Sequence, residues 1–440
     1  MSEKHKPIVI VGAGVAGITL AWELVKRGRE VIVIEKQDQI GGLAKTLRYG
    51  DFSFDTGPHR FYSTKPYIMD YIREVLGDEL LEWDVDSAVR LFQTYYDWPL
   101  NISVILKLPI PVMLGALKDM IIREKRPGVS FEDHILNKYG RTLYRTDFKP
   151  YTEKFLKMPC SEIHSDWAKM GINRSVIDEK KKIDTIFHVI RNTLTPQKPL
   201  RVLYAKTGCN VFTWQLAERI QKGGGRILTG SNIVKLERGD AGIQRIHLQD
   251  GTAIEPGLVV WTAPIDLMAR MLGLETSGLH FLTMVLYFAE IMHAPAFDYQ
   301  WVYFAEEDII FNRTSDMKHF SPHMSPPNTS ALCVEVTCKA NDPVEKDPSL
   351  IEEKVKADLI KVGLVKSPEA FGRIHKLVLP YTYPIYDLHY REKLSKVEKH
   401  IQQVKNVYLA GRSGLFWYNN QDNSIENALE TAKVICQRIP

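Results

Sequence analysis

At 440 residues the chain is long enough for two or three domains, and a composition 45% hydrophobic and 25% charged excludes a disordered or fibrous protein. A net charge of +4, from 57 basic and 53 acidic residues, excludes nucleic-acid binding by bulk charge but leaves room for a mildly basic cleft. Five cysteines, Cys160, Cys209, Cys333, Cys338 and Cys436, form no Cys-x-x-Cys pair, which argues against a disulfide framework or a zinc site and for reduced thiols in a cytoplasmic protein.

The start, Met1 to Lys6, reads as lacking a signal peptide, because the apolar run after it is strand and glycine turn. Ile8 to Val11 are apolar and mostly β-branched, which predicts a buried strand; Val15 to Arg27 carry apolar residues at helical spacing, and Val31 to Glu35 read as a second strand. Between them, Gly12 allows the tight bend, Gly14 lets a pyrophosphate approach the backbone, and Gly17, beside Ala16, lets helix and strand pack closely. Phosphates then sit on the helix N-terminus, where unpaired N–H groups and the dipole favour negative charge. Glu35, followed by Lys36, stands where a carboxylate takes a ribose hydroxyl, and an acid there makes NADP the poorer fit.

Gly41 and Gly42, leading into Leu43, follow Glu35 after five residues, a second glycine turn that a simple NAD domain does not need. It resembles the Glu-x5-Gly-Gly signature of the FAD superfamily that holds amine oxidases, protoporphyrinogen oxidases and UDP-galactopyranose mutases. That resemblance implies FAD as the cofactor, held by these glycines and Leu43.

Phe52 to Ser63 reads as a short strand entering a loop, Pro66 to Leu76 as a helix, and Ala88 to Tyr95 as a strand leaving the nucleotide domain. Ile102 to Ile122 is largely apolar, but Lys107, Pro109, Pro111, Lys118 and Asp119 break it too often for a spanning helix. A core helix is the default reading and peripheral membrane contact the alternative. From Leu100 to about Ile190 the pattern is mainly helical, with breaks at Pro109 to Pro111, Pro127-Gly128 and Pro159; its basic run Lys180 to Lys182, bracketed by Asp178, Glu179 and Asp184, reads as a solvated helix face. Strand signals return at Leu200, and Val211 to Gln221 is a helix ended by Gly223 to Gly225. Arg226 to Leu228, Ile233 to Glu237, Gln244 to Leu248 and Leu258 to Thr262 read as strands. Phe281 to Ile291, Tyr299 to Phe304, Ile309 to Phe311 and Ala331 to Cys338 are strand-like, and Ser349 to Val362 is helical. Val407 to Ala410 then enters Gly411-Arg412, and Ile425 to Arg438 is the closing helix.

The expected fold is α/β, a discontinuous Rossmann-type FAD-binding domain (1–95, 196–270 and 396–440) with an inserted helical substrate domain (96–195) and a second β-sheet substrate region (271–395).

Four further segments look like UDP-galactopyranose mutase in particular. Gly57-Pro58-His59-Arg60-Phe61-Tyr62 is similar to the Gly-Ala-His-x-Phe-His loop that sets a histidine over the flavin; His59 takes that role, or else bonds to backbone as a plain loop histidine. Tyr95 to Asn101 is similar to an aromatic-Pro-x-Asn segment leading into the helical domain. Gly140 to Tyr144, Tyr151 to Lys154 and Pro159 to Ile163 parallel mutase segments and lead to Arg174, where the family has a mobile arginine on the substrate diphosphate; a solvated surface arginine is the alternative. Tyr381 to Tyr386 resembles a Tyr-Tyr-Pro segment, and Gly411-Arg412 with Trp417 to Asp422 resembles a run beside flavin and sugar.

The resemblance implies His59, Arg174 and Arg412 as catalytic residues and Tyr151, Arg174, His280, Tyr383, Tyr418 and Asn420 around the substrate. Flavin contacts would come from His59, Gly411, Arg412, Asn420, Asp422 and Ser424 as well as the glycine turns. Three departures matter: Phe155-Leu156 replace an active-site tryptophan, His280 replaces a second diphosphate arginine, and Asn420 replaces an aspartate.

Two chemistries follow from the resemblance. In the first, reduced flavin N5 attacks the anomeric carbon of a nucleotide sugar and pyranose and furanose interconvert, with NAD(P)H or another reductant as electron source. In the second, an oxidase or dehydrogenase passes a hydride from substrate to flavin, since one scaffold hosts many activities. A nucleotide-binding scaffold without catalysis is the third reading, opposed by the Tyr, Arg and Asn positions near the ring. The expected partner is a small molecule, a nucleotide sugar in the first reading, with no nucleic acid, membrane contact at most peripheral, and the oligomeric state left open.

Overall fold

Runs of Val and Ile with no polar alternation belong in a sheet buried on both faces. Ile8–Val11 sits at the centre of such a sheet, parallel to Val31–Ile34 on one side and Leu258–Trp261 on the other. Arg226–Leu228 and Val407–Leu409 extend it to five parallel strands, drawn from three separate parts of the chain. This computed structural model describes residues 6–98, 102–122, 125–175, 200–240, 242–274 and 278–438, apart from the side chains at 102, 103 and 171–175. The helix Val15–Val25 packs against Gln421–Arg438 and Val211–Lys222.

A seven-stranded sheet forms the second layer, in the order Phe371–Pro384, Phe281–Ile291, Ser330–Lys339, Arg313–Asp316, Trp301–Phe304, Ser87–Leu91, Thr94–Asp97. It is antiparallel except where Trp301–Phe304 runs parallel to Ser87–Leu91. The period of two assigns its faces: Val285, Tyr287 and Ala289 enter a separate core with Val334, Val336 and Leu359, while Leu282, Met284 and Leu286 join the main core.

The stretch from 102 to 175 is helical, in the pieces Ile102–Ile105, Ile110–Ile121, Phe131–Leu143, Lys149–Leu156 and Asp166–Ser175, with a π turn at Tyr144–Phe148. Ser130 caps the third piece, its Oγ accepting the Asp133 N–H at 3.1 Å. The lysine run expected on a helix face, Lys180 to Lys182, lies outside the described residues, as do Pro99 to Asn101.

Several expectations are corrected. Ala88 to Tyr95 is not one strand but a hairpin, because Phe92 and Gln93 turn the chain with φ of 52° and 61°. That is the left-handed pair of a tight hairpin, built here without the Asn-Gly signal that marks it in sequence. Ile309 to Phe311 is a loop, whose carbonyls at Ile309 and Phe311 both accept from Lys154 Nζ at 3.1 Å. Helix Glu352–Lys361 is preceded by a 3₁₀ turn at Pro348–Ile351, and the first helix stops at Val25 rather than Arg27. The strands Thr46–Tyr49, Leu80–Asp84, Ala253–Ile254, Arg313–Asp316 and Phe371–Pro384 and the helix Tyr390–Ile401 were not expected. Ile102 to Ile122 is not a core helix: Pro109 and Pro111 restart it, and Ala116 alone of Ile110–Ile121 is fully buried.

Candidate functional site

The carboxyl ends of three parallel strands meet at one edge. Thr262 Oγ1 donates to the Val11 carbonyl at 2.8 Å, and the Ala410 N–H donates to the Trp261 carbonyl at 3.0 Å. This brings the turns at Gly12, Thr262 and Gly411 together, where open α/β sheets bind ligands. Gly14 starts helix Val15–Val25 with no capping side chain, so the first-turn N–H groups are open to an anion. A Cβ on Gly17 would overlap the Gly12 carbonyl oxygen, which is why helix and strand can close only on glycine there.

The second glycine turn folds onto the first. The Gly41 N–H donates to the Ala13 carbonyl at 2.8 Å, and Gly42, at φ 61°, lies so near that a Cβ on it would be 2.9 Å from Gly14 Cα. Glu35 accepts the Ala13 N–H at 2.8 Å and the Gln37 N–H at 2.9 Å, and its partly exposed carboxylate keeps lone pairs for a hydroxyl. A bare backbone cradle, an open helix end and an acid fit a dinucleotide. Lys36 is exposed; the buried cation here is Lys45, bonded to Gln37 Oε1, with burial lowering its pKa and Glu35 raising it. The Leu43 carbonyl accepts the Thr56 hydroxyl at 2.6 Å, tying this turn to the loop that carries His59.

That loop faces a cluster of side chains shared by the seven-stranded sheet and the helical segment. His59 Nε2 is buried without a hydrogen-bond partner. Burial, then the charges of Arg313 and Arg412, push its pKa down to about 3, so the imidazole is neutral at pH 7. Arg313 and Glu335 face each other across adjacent strands in a two-pronged pair, both bonds 2.7 Å, and the pair lies against Gly57. Arg60 stacks on Trp301 with its guanidinium carbon 4.4 Å from the ring.

Arg412 enters from the start of the last segment. Its two terminal nitrogens donate to the Asn419 and Thr382 carbonyls at 2.9 and 2.8 Å, and its carbon lies 4.7 Å from the Tyr383 ring and 4.9 Å from the Tyr418 ring. Its Nε is buried and meets no acceptor. The rings of Tyr383 and Tyr418 meet edge to face at 5.3 Å, and those of Tyr151 and Tyr303 at 5.8 Å. Phe155 touches Tyr383 at 4.9 Å, and Trp167 stacks on Tyr418 at 4.6 Å. Among the described residues none of the four phenol hydroxyls hydrogen-bonds to protein. Burial raises the pKa of Tyr151, Tyr383 and Tyr418, so these hydroxyls stay protonated and can donate.

Of the expected residues, His59, Tyr151, Tyr383, Arg412 and Tyr418 thus gather in one cluster. Gly12, Gly14, Ala16, Gly17, Glu35, Gly41, Gly42, Leu43 and Gly411 gather at the sheet edge, with Gly411 donating to Asn427 Oδ1 at 2.8 Å. Asp422 is felt electrostatically by Arg60, and Ser424 donates to Asn419 at 3.2 Å. The Asn420 side chain is exposed; the inward residue is Asn419, whose Nδ2 is buried without a partner. His280 is exposed too, held through its carbonyl by the Ile385 N–H at 2.8 Å. The side chain of Arg174 lies outside the described residues. Sequence reading passed over Lys45, Trp167, Tyr303, Arg313 and Glu335. Only Trp167 carried a signal, as an aromatic residue a few turns beyond the missing tryptophan.

The sequence profile described as flavin containing amine oxidoreductase matches residues 15–279. The 1-hydroxycarotenoid 3,4-desaturase of Flavobacterium sp. (strain P99-3) is 24% identical over 277 residues, covering 56% of this chain and 54% of that protein. The chain spans about half the length of the curated relatives it matches. A solved structure of reduced UDP-galactopyranose mutase superposes with a TM-score of 0.85 at 19% identity, over 98% of this chain and 94% of that one. Wild-type putrescine oxidase bound to putrescine superposes with a TM-score of 0.63 at 15% identity, over 99% of both chains. At these identities the likeness shows the fold, and it spans three chemistries.

Proposed function

We propose, for a chain that belongs to the flavin-containing amine oxidoreductase family, that this flavoenzyme acts on an anionic sugar nucleotide and interconverts its pyranose and furanose forms. The cofactor is FAD. When bound it supplies an electron-rich ring nitrogen or a hydride acceptor, and the protein supplies binding and charge. The glycine turns at 12–17 and 41–43 and the Glu35 carboxylate would hold it, with His59 as an uncharged neighbour.

The observation that carries this reading is Arg412, a guanidinium set between two tyrosine rings with its Nε–H unused, in a cluster with four phenol hydroxyls that make no hydrogen bond to described residues. Diphosphate oxygens satisfy such donors. A cationic amine would be repelled by Arg412, and a polyene would strand the hydroxyls unpaired at a cost of about 1–3 kcal/mol each. Phe155 and Trp167 supply the flat apolar wall against which a sugar or base face packs. Tyr383 and Tyr418 would orient the diphosphate, and Arg412 would hold its charge as it separates from the anomeric carbon.

A hydride-transferring oxidoreductase is the second reading. It is favoured by the exposure of His280 and Asn420, which leaves the cluster without the second diphosphate cation and the sugar-side acid that the mutase comparison calls for. Both readings keep the proposed division of the chain, with the first boundary moved to precede Ser87, since Ser87–Leu91 and Thr94–Asp97 pair within the seven-stranded sheet.

The test is titration with UDP and dTDP, then UDP-galactopyranose with dithionite-reduced and with oxidised enzyme. A furanose product from reduced enzyme alone, without stoichiometric electron transfer, is expected. If neither nucleotide binds and a hydride donor bleaches the flavin anaerobically, the mutase reading fails and the second stands.

A further inference from the structure

Helix Ile110–Ile121 is apolar on two faces. Toward the protein it presents Val112, Gly115, Ala116 and Asp119 to helix Phe131–Leu143: a Cβ on Gly115 would contact the Thr142 side chain, and Asp119 Oδ2 accepts the Thr142 N–H at 2.6 Å. Outward it presents Ile110, Leu114, Leu117 and Ile121, spaced i, i+4, i+7 and i+11 along one stripe. A surface helix ordinarily turns polar residues outward; here Ile110 is 69%, Leu114 57% and Ile121 74% exposed. Leu106 and Ile122 extend the stripe at its two ends, both more than half exposed.

Among the described residues 102–122 and 125, the exposed charges beside this stripe have one sign. Lys107, Lys118 and Lys125 are exposed along it, and the acid of the helix, Asp119, is turned inward to Thr142. Among the described residues 102–122 and 125–129 there is no other acidic side chain. Twelve residues rise about 18 Å, short of the roughly 30 Å hydrocarbon core, and among the described residues no helix is long and apolar enough to cross a membrane. An apolar stripe on a short helix edged by lysines is the arrangement that lies in the plane of an anionic bilayer, apolar side chains among the acyl chains and ammonium groups at the phosphates.

We propose that the Ile110–Ile121 face docks this protein onto the surface of an anionic phospholipid bilayer, in the plane and not across it. This goes beyond the reading of the Arg412 cluster and holds for either chemistry.

The experiment is cosedimentation of the flavin-loaded protein with vesicles of phosphatidylglycerol and phosphatidylcholine, and with phosphatidylcholine alone. Binding is expected to the anionic vesicles, weaker in 0.5 M salt, and reduced at least about tenfold by Ile110→Glu with Leu114→Glu. Each of Lys107→Gln and Lys118→Gln should weaken it about fivefold. As a check that needs no disruptive change, Leu114→Cys carrying an environment-sensitive dye should shift blue on anionic vesicles. Wild-type protein that ignores the vesicles, or a dye with no shift, overturns the proposal. So does a wild-type dimer that Ile110→Glu converts to monomer, since a second copy would then be what covers the stripe.

Discussion

Gly14→Ala separates the cradle's role from the fold's. Gly14 has φ −75° and ψ −178°, a conformation alanine adopts freely, and its Cβ would lie 3.7 Å from Gly42 Cα, an ordinary contact. The apoprotein should therefore unfold within about 0.5 kcal/mol of wild type. The methyl would nevertheless stand where the pyrophosphate must approach the backbone N–H groups, so one or two hydrogen bonds to a charged group are lost, about 1.5–3 kcal/mol each. That is a rise in FAD dissociation constant of between about tenfold and about 10⁴-fold. Gly17→Ala is the contrast, because its methyl would overlap the Gly12 carbonyl and should lower apoprotein stability as well. The assay is fluorescence titration of apoprotein with FAD, beside thermal unfolding of the same samples. Wild-type FAD affinity in folded Gly14→Ala would show that the pyrophosphate does not sit on this turn.

Glu335→Gln leaves the Arg313 guanidinium paired with a neutral amide in a buried setting, and should cost about 3–5 kcal/mol in urea unfolding; a loss below 1 kcal/mol would mean that solvent satisfies Arg313. Asn419→Ala should lower the affinity for UDP while Asn420→Ala leaves it unchanged, since the former is buried beside Arg412 and the latter exposed; isothermal titration decides, and the reverse order refutes the assignment. Asp55, buried against Thr46, Tyr204 and Cys209, has its pKa raised by burial to about 6. The folded state then holds its proton more tightly than the unfolded chain, so stability from this group falls as pH rises from about 4 to about 6, by about 3 kcal/mol, and is flat above. Asp55→Asn should remove that slope from denaturation curves taken across the range, and an unchanged slope would place the titration elsewhere.

The nucleotide domain was legible because its requirements are local. Gly12, Gly14, Gly17, Glu35, Gly41 and Gly42 lie within one short stretch, and each is demanded by a turn or a close approach that only its own neighbours create. The buried strands Ile8–Val11 and Val31–Ile34 were equally plain, since β-branched runs without alternation have one home. The seven-stranded sheet was only half legible. Phe371–Pro384 alternates poorly, with exposed Gly372, Arg373 and Lys376 at one end, and a bend near Tyr381 at φ 58°, so no period emerges. In the cluster, Arg313 meets Glu335 through strand pairing, a register that no residue spacing announces. Trp167 stacks on Tyr418 from the next helix, likewise a contact that no residue spacing announces. Asn419 and Asn420 differ by one residue, and which of two neighbouring amides turns inward is set by the chain's bend after Tyr418, a tertiary matter.

The charges around Arg412 bear on the proposed substrate independently of the chemistry. Glu335 neutralises Arg313, and Arg60, felt by Asp422, leans on Trp301. His59 is held neutral and the phenols are held protonated. Arg412 remains as a full positive charge without a carboxylate partner among the described residues, its forks spent on two carbonyls and its Nε–H on nothing. A buried cation satisfied only by dipoles is costly unless an anion completes it. An anion placed against Tyr383 and Tyr418, whose rings flank the guanidinium, would complete it and accept from both phenols. A phosphate offers such donors three oxygens in a tetrahedral array, where a carboxylate offers two in one plane. The proposed phosphorylated substrate therefore rests on the donors around Arg412.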